Sequence, residues 1–575
     1  MLMRREIAMK KFIFGINCPV LPDGSITYDG NVACLKDGKP LVALAEERIS
    51  RKKYDGSFKQ SFEFILDRFK ITPDEIEAIA ICSFAQPMSY VGPYPPNIEV
   101  VFGNLLEARL PLHYVQSHHQ AHAMAAASQC PFTDALIVIV DHTGNLFGAP
   151  EVNRLELNPA EQTSYYLLRD SQITLVARDH DQPGDAGYGR VYGDITCQLG
   201  FNSYRESGKT MGLASFGDAG QLAGHHLFSP DDQGRERSSV AEEGYAEDDT
   251  KAFADWFQKG GRKIPSRRQS NGLIRPFDMH LAAWVQQEVQ TSIERRTKAL
   301  LAECGVSNVC MVGGVAMNSV MNAYLEETLG VSIFVPPSPG DAGLALGAAA
   351  CYLYEKNRTV PAFGCNPYLG PAYDQEEMRL AIQENGSGFR VFVVDDVAQV
   401  AAEALMAGKM IGWFQGSSEY GPRALGNRSI LASPRNVWTK EILNSQIKLR
   451  EWFRPYAPVV RLEDAHRYFD LRSPVPHMMK TARVTGKAYQ DLPACVHVDG
   501  TARVQTVTHE ANPLLYELLG AIGERSGAPV LLNTSFNLAG MPIVESPADA
   551  IKCFNAAIGI DWLVMGNYIL QKETA

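Results

Sequence analysis

Residues 117–145, SHHQAHAMAAASQCPFTDALIVIVDHTGN, predict a helix built from small residues and then a buried strand. The alanines at 120–127 favour the helix, and the apolar run at 135–140 is typical of a strand buried on both faces. Because His118 and His122 are four residues apart, a helix places both imidazoles on one face, where they can bind one divalent ion. The stretch therefore predicts a helix and strand with metal-ligating groups at their ends.

Two aspartates are placed to complete a metal site. Asp141 directly follows the apolar strand, and Asp341 opens DAGLALGAAA after the strand-like VSIFVPP and the turn SPG. Two imidazoles and two carboxylates form a mixed nitrogen and oxygen ligand set, which suits Fe(II), Mn(II) or Zn(II). We expect a divalent ion at His118, His122, Asp141 and Asp341, with Fe(II) as the first choice. The HxxxH pattern alone also fits two ordinary surface or capping histidines, and that alternative stays open.

The start of the chain has three segments with the pattern of strands: KFIFGIN (11–17), NVACL (31–35) and PLVALAEE (40–47). The tetrapeptide at 36–39, Lys-Asp-Gly-Lys, predicts a hairpin turn between the last two. A helical segment (61–70) and the strand AIAICSF (78–84) follow, and ALIVIVDHTGN (135–145) begins the pattern again. Two copies of a strand that ends in small and acidic residues indicate a duplicated actin-like ATPase fold of the α/β class.

Two glycine-rich loops mark the starts of later helices. They are VCMVGGVAMN at 309–318 and DAGLALGAAA at 341–350. Backbone N–H groups in such loops can hold phosphate or ribose. Glycine-rich turns are nevertheless common in α/β proteins, so either loop alone indicates little.

The chain has the pattern of two domains, at 1–364 and 365–575. The stretch CNPYLGPAY (365–373) lacks periodicity and is typical of a linker. Beyond it the pattern restarts as helix, strand, helix and strand, which predicts an α+β second domain. Within the first domain, the polar and charge-rich residues 229–251 predict a mobile insertion.

Composition excludes several classes of protein. A net charge of −11 over 575 residues argues against nucleic acid as a main partner, because phosphate binding needs a basic surface. No apolar run approaches the length of a membrane span. The eleven cysteines include no CxxC pair and mostly lie in apolar runs, which is typical of reduced thiols in a cytoplasmic protein. The sequence leaves a homodimer open.

The second domain concentrates cations in short loops. These residues adjoin glycine, proline or aromatic residues that restrict the loop backbone, and they are Arg423, Arg428, Lys448, Arg454 and Arg503. Guanidinium groups suit bidentate binding of phosphate or carboxylate, and an ammonium adds a point charge. LLNTSFN (531–537) adds hydroxyls and amides after a strand. A single arginine is more often part of a structural ion pair, but five cations in the loops of an acidic protein favour a polyanionic small molecule.

Several motifs together carry a resemblance to a known family. They are SHHQAHA (117–123), IVDHTG (139–144), ESGKTMGLASFG (206–217), GGVAMN (313–318), PGDAGLALGAA (339–349), EYGPRALGNRSIL (419–431), REWFRPYAP (450–458), RVQTV (503–507) and LNTSFN (532–537). They occur in this order over nearly the whole chain. Together they resemble the NodU/CmcH-type O-carbamoyltransferases.

The resemblance implies a two-domain enzyme. Its N-terminal domain would be similar to the actin-like threonylcarbamoyltransferase of tRNA modification, and its C-terminal domain would be similar to YrdC. The YrdC-like site would make carbamoyl adenylate from carbamoyl phosphate and ATP, with Mg²⁺ accompanying ATP. The actin-like site would then transfer the carbamoyl group to a hydroxyl of a small-molecule acceptor, expected to be a secondary metabolite, and release AMP.

The resemblance also implies residue roles. It implies the same four metal ligands that the chemistry of the side chains suggested. The expected nucleotide contacts in the first domain are Lys209, Gly313, Gly314 and Asn318. The groups expected to hold carbamoyl phosphate and the ATP phosphates in the second domain are Arg423, Lys448, Arg454, Arg503, Asn533, Thr534 and Ser535, beside Arg428 from the same loops.

One position departs from the family pattern. Members of the family carry a His-Asp pair ahead of the second strand, with the histidine near the acceptor hydroxyl, whereas this chain has Tyr28 and Asp29. A tyrosine with an ordinary pKa near 10 is a poor general base at neutral pH. Either Asp29 or His119 activates the hydroxyl, or the metal contributes, or the acceptor is bound differently. We expect Asp29 to carry more of the transfer step than Tyr28, which would mainly shape the pocket or donate a hydrogen bond to the acceptor.

Three other functions compete with carbamoyl transfer. An actin-like kinase or ATPase would account for the strands and glycines but leaves HxxxH and the arginine-rich domain without a role. A non-catalytic nucleotide-binding regulator would not need two sets of ligating residues. A tRNA-modifying fusion is opposed by the acidic charge. The identity of the acceptor stays open.

Overall fold

A computed structural model describes residues 11–19, 27–83, 110–145, 160–182, 185–202, 204–239, 265–385 and 388–572. In the N-terminal part the strands are β1 (Phe12–Asn17), β2 (Asn31–Lys36), β3 (Lys39–Ala45), β4 (Ile76–Cys82), β5 (Leu112–Tyr114), β6 (Ala135–Val140), β7 (Thr163–Arg169), β8 (Gln172–Asp179), β9 (Phe228–Pro230), β10 (Glu236–Ser238), β11 (Asn308–Val312) and β12 (Ser332–Phe334). The helices there are α1 (Glu46–Ser50), α2 (Lys59–Phe69), α3 (His118–Gln129), α4 (Tyr188–Gln198), α5 (Ser207–Ala214), α6 (Pro276–Cys304), α7 (Ser319–Leu329) and α8 (Leu344–Asn357).

Two five-stranded sheets in this part have the same strand order. The first sheet runs β3-β2-β1-β4-β5 and the second runs β8-β7-β6-β11-β12. In each, three antiparallel strands form a meander, and two further strands lie parallel to the first strand of that meander. The mixed α/β class is therefore confirmed. The identical order in both sheets agrees with the duplication that the sequence predicts.

The hairpin between β2 and β3 forms where the sequence predicts it. Asp37 and Gly38 have φ angles of 51° and 75°, so both central residues of the turn are left-handed. That geometry defines a type I′ turn, whose twist matches the twist of paired strands. Aspartate and glycine are among the residues that adopt it at low cost, which is why the dipeptide is a reliable local signal.

Helices α3 and α8 form a layer between the two sheets. Both are rich in alanine and buried on almost all sides, as expected for helices packed on two faces. Side chains of α8 pack on the first sheet together with Ile13 and Leu35. Side chains of α3 pack on the second sheet together with Ile137 and Cys310. Each helix thus follows one sheet in the chain and covers the other.

Glycine permits the closest approach within this layer. A Cβ atom at Gly347 of α8 would lie 2.1 Å from the carbonyl oxygen of Ala121 in α3. On its other side, α8 presses on β1, where a Cβ atom at Gly15 would lie 1.8 Å from the carbonyl oxygen of Ala345. Neither position has room for a larger residue. The glycines therefore bring the N-terminal ends of α3 and α8 together.

The C-terminal part has strands β13 (Phe389–Val393), β14 (Ile411–Phe414), β15 (Arg428–Ala432), β16 (Ala457–Arg461), β17 (Phe469–Asp470), β18 (Thr481–Val484), β19 (Thr501–Arg503), β20 (Gln505–Val507), β21 (Val530–Ser535), β22 (Trp562–Met565) and β23 (Tyr568–Lys572). Its helices are α9 (Gln375–Asn385), α10 (Val397–Met406), α11 (Trp438–Ile442), α12 (Gly486–Asp491), α13 (Pro513–Ser526) and α14 (Pro547–Ala556). An eight-stranded third sheet has the order β13-β23-β22-β14-β15-β21-β16-β20, and β17, β18 and β19 form a small sheet beside it. Within the described ranges, no sheet joins strands from the two sides of residue 364. The boundary at 364/365 and the YrdC-like assignment stay predictions.

The two parts are in contact through the segment 447–458. The ring of Phe453 is buried in the apolar core of the N-terminal part. It lies 6.2 Å from the ring of Phe201, and Trp452 meets Phe216 edge-on at 4.9 Å. A loop of the C-terminal part is thereby anchored in the other part.

The expectation of a mobile insertion at 229–251 is wrong for residues 229–239. Strands β9 and β10 form an antiparallel ribbon there. Arg237 pairs with Asp185 at 2.7 Å, and the buried Glu236 pairs with Arg295 at 2.7 Å. Charge-rich residues are held here because each finds an opposite charge on a neighbouring element, which local composition does not reveal. Residues 240–251 lie outside the described residues.

None of the helices in the described residues is long and apolar enough to cross a membrane.

The contact between α3 and α8 can be tested by filling it. Gly347→Ala should lower the free energy of unfolding by about 1–3 kcal/mol, because its methyl group would overlap the Ala121 carbonyl. Gly208→Ala in α5 is the matched control, since a Cβ atom there meets nothing within 4 Å. The control should leave the melting temperature unchanged or slightly higher. Equal melting temperatures for both variants would contradict the close packing.

Candidate active site

Four side chains from three elements meet at the ends of α3, β6 and α8. His118 and His122 come from the first two turns of α3, Asp141 follows β6, and Asp341 precedes α8. The two histidine Nε2 atoms are 3.2 Å apart. Asp141 Oδ2 lies 2.9 Å from His122 Nε2 and 3.4 Å from His118 Nε2. Asp341 Oδ1 lies 3.3 and 3.4 Å from the same two atoms. The structure thus brings together all four residues predicted as metal ligands.

The spacing and charge of this cluster fit a divalent cation. One ligand atom from each side chain lies within 4.8 Å of the others. Ligands about 2.1 Å from a metal, at angles between 90° and 110°, are themselves about 3.0 to 3.4 Å apart. Burial would lower the pKa of His118, but Asp341 and Asp141 outweigh it and hold that pKa well above its ordinary value. Without a cation, the two carboxylates therefore keep protons on the imidazoles, where a metal ion would supply the positive charge instead.

Backbone groups hold the two aspartates in place. Asp141 Oδ1 accepts from the N–H of His142 at 2.8 Å and from the N–H of Gly314 at 3.3 Å, which leaves Oδ2 facing the histidines. Gly313 permits this approach: its φ is 94°, and a Cβ atom there would lie 2.3 Å from the Val140 carbonyl. The amide of Asn31 donates to the Asp341 carbonyl at 2.9 Å. The ligands are therefore oriented by the chain before any ion binds.

Asp29 lies beside the histidine–aspartate cluster formed by His118, His122, Asp141 and Asp341. The Asn31 amide that holds Asp341 also donates to the Asp29 carbonyl, at 2.7 Å. Asp29 has a φ of 60°, a left-handed conformation that an aspartate tolerates. Burial, followed by the nearby charges of Asp341 and Glu47, raises the pKa of Asp29 to about 7. An acid with a pKa near neutrality suits general base catalysis.

Tyr28 and His119 occupy different surroundings. The Tyr28 ring lies under the guanidinium of Arg205 at 5.5 Å, and the same guanidinium lies 5.4 Å from the Tyr54 ring. His119 is fully buried, and its Nδ1 is 2.7 Å from the Ser164 hydroxyl. Its Nε2 has no hydrogen-bond partner within the described part of the chain. Burial, with the charge of His118, lowers the pKa of His119 well below its ordinary value.

Cations of the C-terminal part form a second cluster, here called the cation cluster, in which Lys448 is buried and the arginines are partly buried. Burial and the charge of Arg454 lower the pKa of Arg423 to about 10. Burial and the charges of Arg423, Arg450 and Arg454 lower the pKa of Arg503 well below its usual range. Lys448 is also buried, and its pKa is lowered well below the ordinary value by burial and then by Arg450. Four predicted anion-binding residues, Arg423, Lys448, Arg454 and Arg503, therefore lie close enough for their charges to interact.

Arg450 belongs to this cluster, and the sequence prediction missed it. Its guanidinium lies 4.3 Å over the Tyr456 ring, and its Nε donates to Asn444 Oδ1 at 2.8 Å. Burial lowers its pKa to about 10. A turn of π-helix at Leu443–Ile447 precedes the loop, and Leu449 has a φ of 43°. The spacing of Lys448 and Arg450 was a signal, but the left-handed residue between them sets their orientation and is not visible in the sequence.

Residues of β21 complete the wall of the cation cluster. The Lys448 ammonium donates to the Ser535 carbonyl at 2.5 Å and to Asn537 Oδ1 at 2.8 Å. The Asn533 amide donates to Gln505 Oε1 at 2.7 Å, and its own Oδ1 has no partner among the described residues. Thr534 lies between them on the strand. The predicted group at 533–535 therefore lies at the cluster.

Arg428 does not belong to the cluster, which corrects its assignment as an anion-binding residue. Its side chain has no exposed surface, and its guanidinium packs 3.7 Å over the Phe414 ring. Its donors bond to backbone carbonyls, including Gln415 at 2.7 Å and Glu545 at 3.2 Å. Arg428 thus fastens loops of the C-terminal part to one another.

The other predicted nucleotide residues have structural partners in this conformation. Lys209 Nζ lies 2.6 Å from Glu206 and 2.6 Å from Glu451, so it joins α5 to the loop at 447–458. The Asn318 side chain caps α7 and donates to Gln286 at 2.8 Å. Gly314 donates its N–H to Asp141, as described above. Their nucleotide contacts stay predictions.

Comparisons with known proteins agree with this arrangement. The model of the carbamoyltransferase N-terminus matches residues 94–351, and that of the carbamoyltransferase C-terminus matches residues 402–572. The chain belongs to the carbamoyltransferase family. It is therefore an enzyme of that family.

Relatives support this membership along most of the chain. The nodulation protein NolNO of Sinorhizobium fredii is 32% identical over 95% of this chain and 79% of its own. An uncharacterised protein of Synechocystis is 31% identical, with 95% of each chain covered. The 3'-hydroxymethylcephem-O-carbamoyltransferase of Amycolatopsis lactamdurans is 28% identical over 95% of this chain and 98% of its own.

Solved structures are less similar. HypF of T. kodakarensis has a TM-score of 0.32 at 15% identity, with 61% of this chain and 49% of HypF covered. The activator of the 2-hydroxyisocaproyl-CoA dehydratase from Clostridium difficile has a TM-score of 0.31 at 14% identity, with 60% of this chain and 96% of that chain covered. Scores of this size carry no argument about fold or function.

The histidine–aspartate cluster can be tested by its metal content. Wild-type protein should retain one divalent ion per chain, and the His118→Ala/His122→Ala variant should retain none, because it keeps only two carboxylates. His226→Ala is the control, since that side chain is largely exposed. Elemental analysis after extensive dialysis gives the result. Equal metal content in wild type and the double variant would refute the assignment.

Proposed function

We propose that the protein is an ATP-dependent O-carbamoyltransferase that makes carbamoyl adenylate at the cation cluster and transfers its carbamoyl group beside the histidine–aspartate cluster. The acceptor is a hydroxyl group of a small molecule. Family membership supports carbamoyl transfer. The name of the Amycolatopsis relative, an O-carbamoyltransferase acting on a hydroxymethyl group, supports a hydroxyl acceptor.

Cations without carboxylate partners in the cation cluster support the adenylate step. Within the described residues, none of Arg423, Lys448, Arg450 and Arg503 forms an ion pair with a carboxylate. Buried charges are normally paired, because removal from water costs several kcal/mol per ion. The guanidinium groups of Arg423 and Arg503 also keep a buried Nε–H that finds no acceptor among the described residues. A bound polyanion such as ATP with carbamoyl phosphate would supply the missing charge and acceptors.

The proposed reaction has three steps. Carbamoyl phosphate and water give carbamate and phosphate. A carbamate oxygen attacks the α-phosphorus of ATP, and pyrophosphate leaves. The acceptor oxygen then attacks the carbamoyl carbon, AMP leaves, and the hydroxyl proton passes to a base. The cation cluster would hold the phosphate groups and stabilise charge that develops on pyrophosphate.

Asp29 is the proposed base for the last step. Asp29 is partly buried next to the histidine–aspartate cluster, and desolvation raises its pKa to about 7. A divalent ion at the four ligands would stabilise negative charge on the AMP leaving group. Tyr28 lies under Arg205 and would line the acceptor pocket. Fe(II) is our first choice of ion, with Mn(II) or Zn(II) as alternatives, and Mg²⁺ would accompany ATP.

The division of labour between the clusters can be tested by pyrophosphate exchange. Lys448→Ala and Arg423→Ala should lower carbamoyl-phosphate-dependent exchange of labelled pyrophosphate into ATP by about 10- to 100-fold, since each removes a charge-assisted phosphate contact worth about 1.5–3 kcal/mol. His122→Ala should retain exchange but lose transfer to the acceptor. Arg461→Ala, which removes a partly exposed ion pair with Asp464, is the control and should retain both.

Two outcomes would contradict this scheme. If His122→Ala loses exchange as completely as Lys448→Ala, the two clusters do not perform separate steps. If wild-type protein exchanges pyrophosphate without carbamoyl phosphate, or consumes ATP to ADP, a kinase or ATPase activity is the better assignment.

The roles of Asp29 and Tyr28 can be separated by conservative variants. Asp29→Asn should lower the transfer rate by about 10²-fold or more, the usual scale for loss of a general base, whereas Tyr28→Phe should retain most of it. Wild-type transfer should rise with pH until Asp29 is ionised and then level. That rise ends at or below pH 7, because a nearby cation favours the carboxylate. Asp29→Asn should lack the rise. A collapse in Tyr28→Phe with a normal Asp29→Asn would reverse the assignment.

A further inference from the structure

The first turn of α3 has three backbone N–H groups that need acceptors from outside the helix. The N–H of His118 donates to Asn145 Oδ1 at 2.7 Å, and the N–H of His119 donates to Glu161 Oε2 at 3.1 Å. The N–H of Gln120 donates to the Ser117 hydroxyl at 2.9 Å. All three acceptors are buried. The start of the helix that carries two proposed metal ligands is therefore fully bonded.

Glu161 belongs to the same backbone ladder as Asp141. Its carbonyl accepts from Gly144 at 2.6 Å, and its N–H donates to the Asn145 carbonyl at 3.0 Å. The N–H of Asp141 donates to the Gln162 carbonyl at 3.0 Å. These bonds extend the pairing of β6 with β7 past the ends of both strands. Glu161 and Asp141 thus move as one unit with the second sheet.

The Glu161 carboxylate connects that unit to α3. It has no exposed surface, and its Oε1 accepts from the Ser117 hydroxyl at 2.6 Å. Arg178 lies 3.5 Å away and balances the charge. A negative charge at a helix N-terminus is favourable because the helix dipole is positive there. The carboxylate therefore ties α3 to the sheet that carries Asp141.

We propose that Glu161 is a positioning residue of the metal centre. The distances of 2.9 and 3.4 Å from Asp141 to the two histidines depend on where α3 lies relative to the end of β6. Glu161 is buried and forms hydrogen bonds both to the start of α3 and to the residues that follow β6. It is not one of the four proposed ligands. This inference rests on the proposed metal centre. It gives Glu161 a role beyond capping α3, namely to hold the two histidines at the right distance from Asp141.

Cobalt(II) titration of metal-free protein tests the proposal. Its visible absorption reports both the dissociation constant and the geometry of the ligands. Glu161→Gln should weaken cobalt binding by about 10- to 100-fold and change the absorption bands, the usual effect of losing a group that orients metal ligands. Glu236→Gln is the matched control, because Glu236 is equally buried and pairs with Arg295 away from the cluster. It should leave cobalt binding unchanged even if its melting temperature falls.

A second variant guards against a folding defect. Ser117→Ala removes the hydroxyl bond to Glu161, together with the cap on the Gln120 N–H, and leaves the carboxylate charge in place. We expect a several-fold weaker affinity for cobalt. If Glu161→Gln does not fold, the cobalt affinity of Ser117→Ala decides whether Glu161 positions the ligands. Wild-type affinity and spectrum in the folded variants would overturn the role of Glu161. A wild-type protein that binds no cobalt would overturn the metal centre itself, and with it this inference.

Discussion

The close contact between α3 and α8 determines where the ligands of the histidine–aspartate cluster can lie. Both helices are packed between two sheets, and Gly347 allows α8 to approach the backbone of α3 at Ala121. Their N-terminal ends are consequently adjacent, with His118 at one and Asp341 at the other. A larger residue in this contact would separate the helices and spread the ligands apart. The fold and the proposed metal site thus depend on the same small side chains.

The cation cluster differs in that it holds an excess of like charge. Arg423, Arg450 and Arg503 are held near each other in a buried loop region although their charges repel. Other contacts of the fold offset this repulsion. Phe453 packs in the neighbouring core, and Asn444 accepts a hydrogen bond from Arg450. A bound anion would relieve the repulsion, so ligand binding should also stabilise the folded protein. Sites that bind anions are often prepared in this way, with the unfavourable energy supplied in advance by folding.

Much of the fold was predictable because it is encoded locally. The β2–β3 hairpin follows from Asp37 and Gly38, and the helix that carries HxxxH follows from its alanines. Asp141 was predicted as a ligand because a strand-end position is visible in the sequence. Arg428 was misassigned because nothing in its neighbourhood shows that backbone carbonyls from distant segments surround it. The ion pair of Lys209 joins residues far apart in the chain, so sequence alone could not predict it either.

The position of Glu451 shows how the two clusters are related. It lies in the loop of the cation cluster, 3.9 Å from Arg454, but its shorter contact is with Lys209 of the N-terminal part at 2.6 Å. A phosphate that enters the cluster would compete with Glu451 for Arg454, since that contact is long and partly exposed. It would not compete for Lys209, which is held by Glu206 as well. The loop should therefore stay attached to the N-terminal part while its cations rearrange around a ligand. An anion can then be bound and released without separating the two clusters.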